Sequence, residues 1–594
     1  MTRTPLRPLA RILEARSRGV NPDVIERENM RLRHEEMRDT SRARAEGRLL
    51  VLGAVFFCAF SVVGLRMGGM ASSVPEEPRA SASGAGIEAQ RGDIIDRDGR
   101  ILATNMETYS LYAHPHQMIY PEVAARELAR IFPELDEDSL KRRFTGNGKF
   151  YWIRRTMSPE QRQAVHDIGD PGLLFGPRDM RLYPNGPIAG HILGGTSYGT
   201  QDVRWAEIKG SAGVEHYFDA ALRDPANGGA PLQLSIDLTV QAALEQVLDG
   251  GMKLMNSKGA AAVLMDIHTG EIISMASLPD FDPNDRPHLP TSGHPDDSPL
   301  FDRAVQGVYE LGSVFKPFTI ADSLELGLVS PDSMIDIRGP ITWGRFRIRD
   351  DHYLGTSADV TKILVESSNI GTARISQMIG AQRQQEFLRK LGLFDPAPVE
   401  LSEAEVTKPN YQSNWSELTT MTVSYGHGMS VTPLHLATAY AAIANGGRLI
   451  QPTLLKRETP QVGERVMSEN TAATVRRMLR LVVTEGTASF GDVPGYDVGG
   501  KTGTANKLKP SGGYYEDKTI GTFASIFPIR DPKYALVVML DEPSTHIYGQ
   551  DRRTAGWTAV PVAAELIRRI GPLLGLRPYI EPASGAAITQ ASSH

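Results

Sequence analysis

The pattern of apolar and polar positions divides the chain into segments of different character. Residues 49 to 65, LLVLGAVFFCAFSVVGL, contain no charged side chain and are close to the lower limit of about 17 residues for a membrane-spanning helix. Residues 71 to 86, ASSVPEEPRASASGAG, lack large apolar groups, which is typical of a flexible tether. Folded structure is therefore expected to begin near Ile87.

The carboxyl-terminal half predicts one α+β domain. Residues 260–277 and 521–540 each contain two apolar runs around a short turn and predict two β-hairpins. Apolar residues at helical spacing predict helices at 431–445, 470–483 and 558–575. Because the strands come from both ends of this region, one antiparallel sheet with helices inserted between its strands is the economical arrangement.

Between residues 88 and 230 the chain mixes short β-prone runs with turn signals, which predicts a separate α+β module. The whole chain is thus predicted to contain six segments. They are a cytoplasmic tail at 1–48, a transmembrane helix at 49–66, a linker at 67–86, a pedestal domain at 87–230, a larger domain at 231–576 and a flexible tail at 577–594.

Charge sets the orientation of the span. Residues 1 to 48 contain twelve arginines against eight acidic residues, and an arginine excess beside a single span favours a cytoplasmic amino terminus. A cleaved signal peptide is the alternative, but its charged leader would be far longer than usual.

Composition argues against two classes of function. The formal net charge is −6, and no basic stripe with interleaved aromatic residues follows residue 48, so we expect no nucleic-acid partner. Cys58 is the only cysteine, which leaves no disulfide and no cysteine framework for zinc. The pair His114 and His116 lacks a third ligand and is expected in a solvent-facing loop, and Asp96 is expected in a tight turn rather than a calcium loop. We predict no metal and no cofactor.

The stretch YELGSVFKPFT, residues 309 to 319, places Ser313 at the start of an apolar helical face that stops at Gly327. A helix amino terminus stabilises an oxyanion, and Lys316, three residues on, shares the face of Ser313. A lysine must be desolvated or lie beside another cation to act as a base near neutral pH. A capping serine followed by a surface lysine explains the same letters.

The stretch ESSNIG, residues 366 to 371, offers Ser367 and Asn369 in an S-x-N arrangement before a helix-like run. The hydroxyl could relay a proton, and the amide could hold both a lysine and a substrate carbonyl. The alternative is a polar helix cap. A second S-x-N, at Ser468, directly precedes an amphipathic run and is predicted to be a cap alone.

The stretch VGGKTGTA, residues 498 to 505, combines a cation, Lys501, with hydroxyls suited to a carboxylate, those of Thr502 and Thr504. Glycines on a strand edge permit close backbone approach. Residues 495 to 502, GYDVGGKT, also fit the letters of a phosphate-binding loop, but no helical face follows them, which argues against nucleotide binding.

The motifs S-x-x-K, S-x-N and K-T-G in this order resemble those of the penicillin-binding proteins and serine β-lactamases. RGDIIDRDGRILATN, RLYPNG, GSAGVEHYFD, SLPDFDPN and RAVQGVYELGSVFKPFT resemble the class B, monofunctional penicillin-binding proteins. SYGHGMSVTPLHLATAYAAIANGG resembles the division-specific, FtsI-type members. The resemblance extends over roughly residues 49 to 575.

This resemblance implies a septal D,D-transpeptidase that cross-links peptidoglycan stem peptides through a serine acyl-enzyme and is acylated by β-lactam antibiotics. It implies a fold with a single transmembrane helix, an α+β pedestal and a transpeptidase domain whose antiparallel sheet is flanked by helices. It also implies location in the bacterial inner membrane at the septum, with the catalytic domain in the periplasm. The implied partners are an FtsW-like glycosyltransferase and other division proteins.

The resemblance also assigns roles by position. Ser313 would be the acylated nucleophile and Lys316 its base, with the backbone N–H groups of Ser313 and Thr504 as the oxyanion hole. The other assigned residues would assist proton transfer, complete the cationic site or bind the substrate carboxylate: Ser367, Asn369, Lys501, Thr502, Gly503 and Thr504.

Three alternatives differ from this assignment. A β-lactamase would hydrolyse its acyl-enzyme, but the E-x-x-L-N pattern of a deacylating glutamate is missing. An elongation-type class B transpeptidase would perform the same reaction along the lateral wall. A β-lactam sensor is expected to need more membrane spans and a signalling domain, which the sequence lacks. A non-catalytic division scaffold would not need all the reactive residue types that the chain has.

Overall fold

The structure is a computed structural model, and it describes residues 7–72, 91–203, 206–344, 346–509 and 512–579. The chain divides into two compact units. The smaller holds Met1–Glu77, Ala113–Trp152 and Ile168–Leu174, and the larger holds Pro78–Tyr112, Ile153–Asp167 and Phe175–His594. Most of the predicted linker and most of the predicted flexible tail lie outside the described residues.

The smaller unit is mainly helical. Its helices are α1 Arg7–Ser17, α2 Pro22–Ser72, α3 Pro121–Ile131 and α4 Glu137–Phe144. Helix α2 contains the apolar stretch Leu50–Met67, of mean hydropathy 2.1 and not buried in the protein, which is long and apolar enough to cross a membrane. The helix therefore begins before and ends after the predicted span, and it includes the first residues of the predicted linker.

Two sequence expectations outside the S-x-x-K, S-x-N and K-T-G motifs have different outcomes. The tight turn at Asp96 is confirmed, because its carboxylate accepts hydrogen bonds from the backbone N–H groups of Asp98 and Arg100. The solvent-facing position is confirmed for His116 but is wrong for His114, which is 3% exposed and packs against Phe150. Within the described ranges, no group of three or more metal-ligating side chains could hold an ion.

The strands follow in chain order. They are β1 Ile94–Ile95, β2 Ile101–Ala113, β3 Tyr151–Arg154, β4 Leu173–Leu182, β5 Gly195–Gln201, β6 Ala206–Ala212, β7 Leu232–Gln233, β8 Gly259–Asp266, β9 Ile272–Leu278, β10 Met334–Asp336, β11 Ile341–Trp343, β12 Phe346–Ile348, β13 Ser357–Asp359, β14 Asn410–Tyr411, β15 Met429–Ser430, β16 Arg448–Leu449, β17 Glu464–Arg465, β18 Gly499–Leu508, β19 Tyr514–Phe527, β20 Tyr534–Asp541, β21 Thr545–Ile547 and β22 Gln550–Arg552.

The helices of the larger unit complete the fold. They are α5 Pro159–His166, α6 Gly190–Leu193, α7 Gly213–Tyr217, α8 Asp219–Arg223, α9 Leu238–Leu254, α10 Lys316–Glu325, α11 Val360–Val365, α12 Asn369–Ile379, α13 Ala381–Lys390, α14 Ser402–Val406, α15 Glu417–Val423, α16 Pro433–Ala444, α17 Glu469–Thr484 and α18 Ala559–Leu573.

Two larger sheets organise these elements. One has the order β3-β2-β1-β7 with β4 also paired to β2, and its β1–β7 pair is parallel, so this sheet is mixed. The other has the order β18-β19-β20-β8-β9 and is antiparallel throughout. Both predicted hairpins are present in it as β8–β9 and β19–β20, so the antiparallel sheet built from both ends of the domain is confirmed.

The antiparallel sheet is covered on both faces. Ala261, Val263 and Met265 belong to one apolar cluster, while Ala260 and Leu264 belong to the other. Alternate residues of a strand point to opposite faces, so a strand buried on both sides becomes a continuous apolar run. Helix α16, whose residues are all buried, packs on β8 and β20, and α9 and α18 also pack on the sheet. Strand β18 lies at the sheet edge, next to the turn that carries the S-x-x-K motif.

Candidate active site

Ser313 lies in a tight turn at the start of a buried helix. Residues Gly312–Phe315 form a 3-10 turn, and the α-helix α10 starts only at Lys316, so the α-helix begins three residues later than the sequence suggests. The buried hydroxyl of Tyr440, on α16, donates to the Val314 carbonyl oxygen at 2.9 Å and holds the turn in place. Ser313 itself is half-buried. The turn therefore presents this serine from a rigid, buried support.

Lys316 is fully buried beside the S-x-N motif. Its ammonium donates to Asn369 Oδ1 at 2.7 Å, to Ser367 Oγ at 3.0 Å, and also to the Ser367 carbonyl oxygen. Burial lowers the pKa of Lys316 to about 7, although the negative charges of Asp350 and Asp351 act in the opposite direction. A substantial fraction of this lysine is thus neutral near neutral pH, which is the form that can accept a proton.

Lys501 reaches the same hydroxyl from the sheet edge. It lies on β18, is fully buried, and donates to Ser367 Oγ at 3.0 Å and to the Thr502 carbonyl oxygen at 3.1 Å. Burial, followed by the neighbouring charge of Lys316, holds the pKa of Lys501 well below its usual value. The Ser367 oxygen therefore joins the two lysines.

The two serines of ESSNIG have different contacts: one caps a helix and the other contacts the two lysines. Ser368 is the amino-terminal cap of α12: its Oγ accepts from the Gly371 N–H at 2.9 Å and donates to Asp350 at 2.8 Å. Ser367, with a left-handed φ of 61°, turns away from the helix and toward the lysines. The cap interpretation therefore applies to the neighbour of Ser367. At the second S-x-N the predicted cap is confirmed, because Ser468 Oγ accepts from the Thr471 N–H at 3.2 Å.

The backbone of strand β18 lies very close to the backbone of the Ser313 turn. A Cβ added at Gly503 would lie 2.1 Å from the Leu311 carbonyl oxygen, and one added at Gly312 would lie 2.8 Å from the Thr504 carbonyl oxygen. Only glycines permit this approach, which brings the backbones next to Ser313 and Thr504 together. Since VGGKTGTA continues as a strand and not as a helix, the phosphate-loop alternative lacks its helix amino terminus.

The hydroxyls of the K-T-G-T stretch are held by neighbours on both sides. Thr502 Oγ1 lies 2.8 Å from Thr487 Oγ1, and Thr504 Oγ1 accepts from the Ala555 N–H at 2.9 Å. The structure thus brings Lys316, Ser367, Asn369, Lys501 and Thr502 into one hydrogen-bonded group. Gly503 and Thr504, on the same strand as Lys501, lie against the turn that carries Ser313.

Sequence reasoning missed several supports of this site. Asp350 accepts from both Ser368 Oγ and the Ile370 N–H, and the Arg349 carbonyl oxygen accepts from Asn369 Nδ2 at 2.9 Å. The acidic pair in RDDHY can be seen in the sequence, but nothing in its spacing connects it to a serine 18 positions later. Only the folded structure shows that Asp350 contacts Ser368.

Family models match most of the chain. A model described as the penicillin binding protein transpeptidase domain matches residues 260–568, and one described as the penicillin-binding protein dimerisation domain matches residues 86–229. The two matches are consecutive and do not overlap.

Similar proteins carry consistent names. The chain is 35% identical over 569 residues to a probable peptidoglycan D,D-transpeptidase FtsI of Caulobacter vibrioides, covering 93% of each chain. It is 28% identical over 485 residues to the peptidoglycan D,D-transpeptidase FtsI of Escherichia coli, covering 78% of this chain and 81% of the relative. Among solved structures, penicillin binding protein 3 of Mycobacterium tuberculosis in complex with aztreonam matches with a TM-score of 0.63 and 26% identity, covering 83% of this chain and 98% of that chain.

Proposed function

Because the chain belongs to the penicillin-binding protein family, among its class B, FtsI-type members, we propose that it is a septal peptidoglycan D,D-transpeptidase. It cross-links stem peptides through an acyl-enzyme on Ser313 and is acylated by β-lactams. One observation carries this proposal: two buried lysines converge on Ser367 Oγ beside the Ser313 turn, and one of them, Lys316, has a pKa near 7.

The geometry supports a sequence of proton transfers for acylation. Neutral Lys316 takes the proton of Ser313 Oγ, which attacks the carbonyl carbon of the penultimate D-alanine. The backbone N–H groups of Ser313 and Thr504 stabilise the oxyanion. The C–N bond breaks, and the leaving D-alanine amine receives the proton through Ser367, which contacts both lysines. Asn369 holds Lys316 in place.

Substrate binding is proposed for the sheet edge. The hydroxyls of Thr502 and Thr504, beside the Lys501 amine on the same strand, suit the terminal carboxylate of the stem peptide or the carboxylate of a β-lactam. Gly503 permits the close approach of β18 to the Ser313 turn. A substrate backbone lying along β18 would therefore pass beside Ser313.

The acylation test uses purified full-length protein in detergent and a labelled penicillin. We expect one label per chain, located on Ser313 by peptide mapping and lost in Ser313→Ala. The Ser468→Ala variant, which alters the serine of the second S-x-N, should label normally. A label that persists in folded Ser313→Ala would contradict the assignment.

We propose that the protein sits in the inner membrane with its amino terminus in the cytoplasm, its catalytic domain in the periplasm and its site of action at the division septum. The proposal rests on the arginine excess of residues 1–48, the apolar stretch Leu50–Met67 and the FtsI-type relatives. An FtsW-like glycosyltransferase and other division proteins are the proposed partners, and the domain boundaries at 86 and 230 stay predictions.

Localisation separates the septal role from the elongation alternative. A fluorescent fusion should concentrate at the septum of dividing cells, whereas a lateral-wall signal without septal enrichment would favour the elongation type. A scaffold role is tested by complementation: a Ser313→Ala protein that still supports division would identify a non-catalytic function.

A further inference from the structure

A buried carboxylate and a partly exposed histidine form a pair next to the Ser313 turn. Glu310, only 7% exposed, lies three residues before Ser313, and its Oε2 is 3.1 Å from His427 Nδ1. The same carboxylate accepts from the Gly428 N–H at 2.9 Å and from the Tyr514 hydroxyl at 3.0 Å. Three donors from two other segments thus fix the carboxylate in place.

This pairing favours one tautomer of the imidazole ring. Because the Glu310 carboxylate already accepts from the Gly428 N–H and the Tyr514 hydroxyl, it suits the tautomer in which His427 Nδ1 bears the hydrogen and donates a hydrogen bond to Glu310. In the neutral ring Nε2 then holds the lone pair, as it does in a carboxylate–histidine pair that acts as a general base. The side chain of His427 is 30% exposed, and within the described ranges Nε2 has no hydrogen-bond partner.

His427 is held close to the nucleophile by backbone contacts. The Gly312 N–H donates to the Gly426 carbonyl oxygen at 3.3 Å, and a Cβ added at Gly426 would lie 2.0 Å from the Gly312 carbonyl oxygen. Each of these glycines directly precedes one of the two residues in question, Ser313 and His427. The loop that carries the histidine therefore lies against the turn that carries the serine.

Lys316 is already engaged by the S-x-N motif. Its nitrogen is held by Ser367 and Asn369, in the position proposed for acylation. The second half of a transpeptidation needs a base for a different proton, that of the incoming amine. His427 Nε2 offers an unengaged lone pair for it.

We propose that His427 is the general base for the acceptor amine that attacks the Ser313 acyl-enzyme, and that Glu310 is the positioning residue that orients it; this rests on the proposed transpeptidase function. The amine nitrogen forms a bond to the ester carbonyl carbon and gives one proton to His427 Nε2. The bond between that carbon and Ser313 Oγ then breaks, and the proton passes from Nε2 to Oγ. Serine and histidine both end neutral, and the product is an amide.

The test separates aminolysis from acylation. The donor is an acyl-D-alanyl thioester and the acceptor is D-alanine, with the amide and hydrolysis products measured separately on full-length protein in detergent. In His427→Gln we expect aminolysis to fall at least about a hundredfold, the lower end of the range for general base catalysis, while acylation by labelled penicillin changes less than about twofold. His268→Gln, an exposed histidine on the β8–β9 turn, is the control and should change neither rate.

Chemical rescue distinguishes a base from a structural contact. Added imidazole should restore part of the aminolysis in His427→Ala, because it can occupy the vacated space and accept the proton.

In Glu310→Gln we expect the kcat for aminolysis to fall while the KM for D-alanine stays within about twofold, since the residue orients the base and does not touch the acceptor.

Three outcomes would overturn the proposal. They are an unchanged ratio of aminolysis to hydrolysis in His427→Gln, a parallel loss of acylation and aminolysis in that variant, and an absence of imidazole rescue in a folded His427→Ala. Failure of the proposed function looks different, since Ser313 would then not be labelled by penicillin in the unaltered protein.

Discussion

Lys316 and Lys501 are both fully buried and both donate to one oxygen, that of Ser367. Two ammonium groups on a shared acceptor repel each other, and burial penalises each charge further. Both effects favour a neutral amine on at least one of the two lysines. Burial and a neighbouring cation can keep a lysine amine neutral without a separate base. Such a neutral lysine can accept the proton of a serine at neutral pH.

The first prediction concerns the pH dependence of acylation. With a pKa of about 7, Lys316 is mostly protonated below pH 7 and mostly neutral above it, and only the neutral amine accepts the serine proton. The rate of acylation by penicillin should therefore fall about tenfold per pH unit below 7 and level off above about pH 8. Stopped-flow or gel-based labelling measures this rate.

Lys316→Arg is the matched control for that profile. Its guanidinium stays charged across the whole range, so acylation should be nearly absent at every pH. A rate in the unaltered protein that does not change between about pH 5 and pH 9 would contradict Lys316 as the base.

At the scale of elements, the amino terminus of α12 separates the capping role of Ser368 from the proposed catalytic role of Ser367. Ser367→Ala removes the oxygen shared by the lysines but keeps the helix cap, so acylation should fall about a hundredfold with little loss of stability. Ser368→Ala removes the cap and the bond to Asp350, so the free energy of unfolding should fall by about 1–2 kcal/mol. Labelling rates and urea unfolding of both variants check this, and identical behaviour of the two would contradict it.

The elements show what the sequence could and could not predict. The hairpins β8–β9 and β19–β20 follow from apolar runs around short turns, and α16 to α18 follow from apolar spacing, because burial itself creates those patterns. The division between Ser367 and Ser368 does not follow, since either hydroxyl can cap a helix and the backbone conformation decides between them. Asp350 and Glu310 could not be assigned either, because their partners are distant in sequence.

The contact between β18 and the Ser313 turn gives a second prediction at this scale. In Gly503→Ala the new methyl group would lie 2.1 Å from the Leu311 carbonyl oxygen, a backbone atom that can move only with the turn. We expect acylation of Ser313 to fall more than about a hundredfold, because a small displacement of the nucleophile has this effect.

Gly250→Ala provides the comparison for that prediction. Gly250 lies inside α9 with open space around its Cβ position, so alanine should leave acylation unchanged and add up to about 1 kcal/mol of stability. Normal acylation in Gly503→Ala would show that the turn does not depend on a close backbone contact.

At the scale of the whole molecule, the larger unit contains a charged cluster that connects distant segments of the chain. Glu215, with a fully buried side chain, accepts from Arg91 at 2.6 Å and from Arg181 at 2.7 Å, and both arginines are almost completely buried. Arg91 also pairs with Asp219 at 2.7 Å. Arg91 and Glu215 are 124 positions apart, so only the folded chain brings these charges together.

Removing Glu215 should therefore destabilise the larger unit strongly without changing its chemistry. Glu215→Ala leaves two buried guanidinium groups without their shared partner, and breaking a buried pair from one side costs about 3–5 kcal/mol. None of the hydrogen bonds of this cluster among the described residues reaches Ser313, Lys316 or Ser367. We expect a clearly lower unfolding temperature, with penicillin acylation of the protein that remains folded unchanged.

Glu565→Ala is the matched control, because Glu565 pairs with Arg568 while both side chains are about half exposed. Solvent screens such a pair, so its loss should change the free energy of unfolding by no more than about 1 kcal/mol. Thermal unfolding of both variants, followed by labelling at a temperature where both are folded, gives the comparison. Equal destabilisation by the two substitutions would mean that the buried cluster contributes no more than a surface pair, and a loss of acylation in folded Glu215→Ala would mean that it also supports the catalytic site.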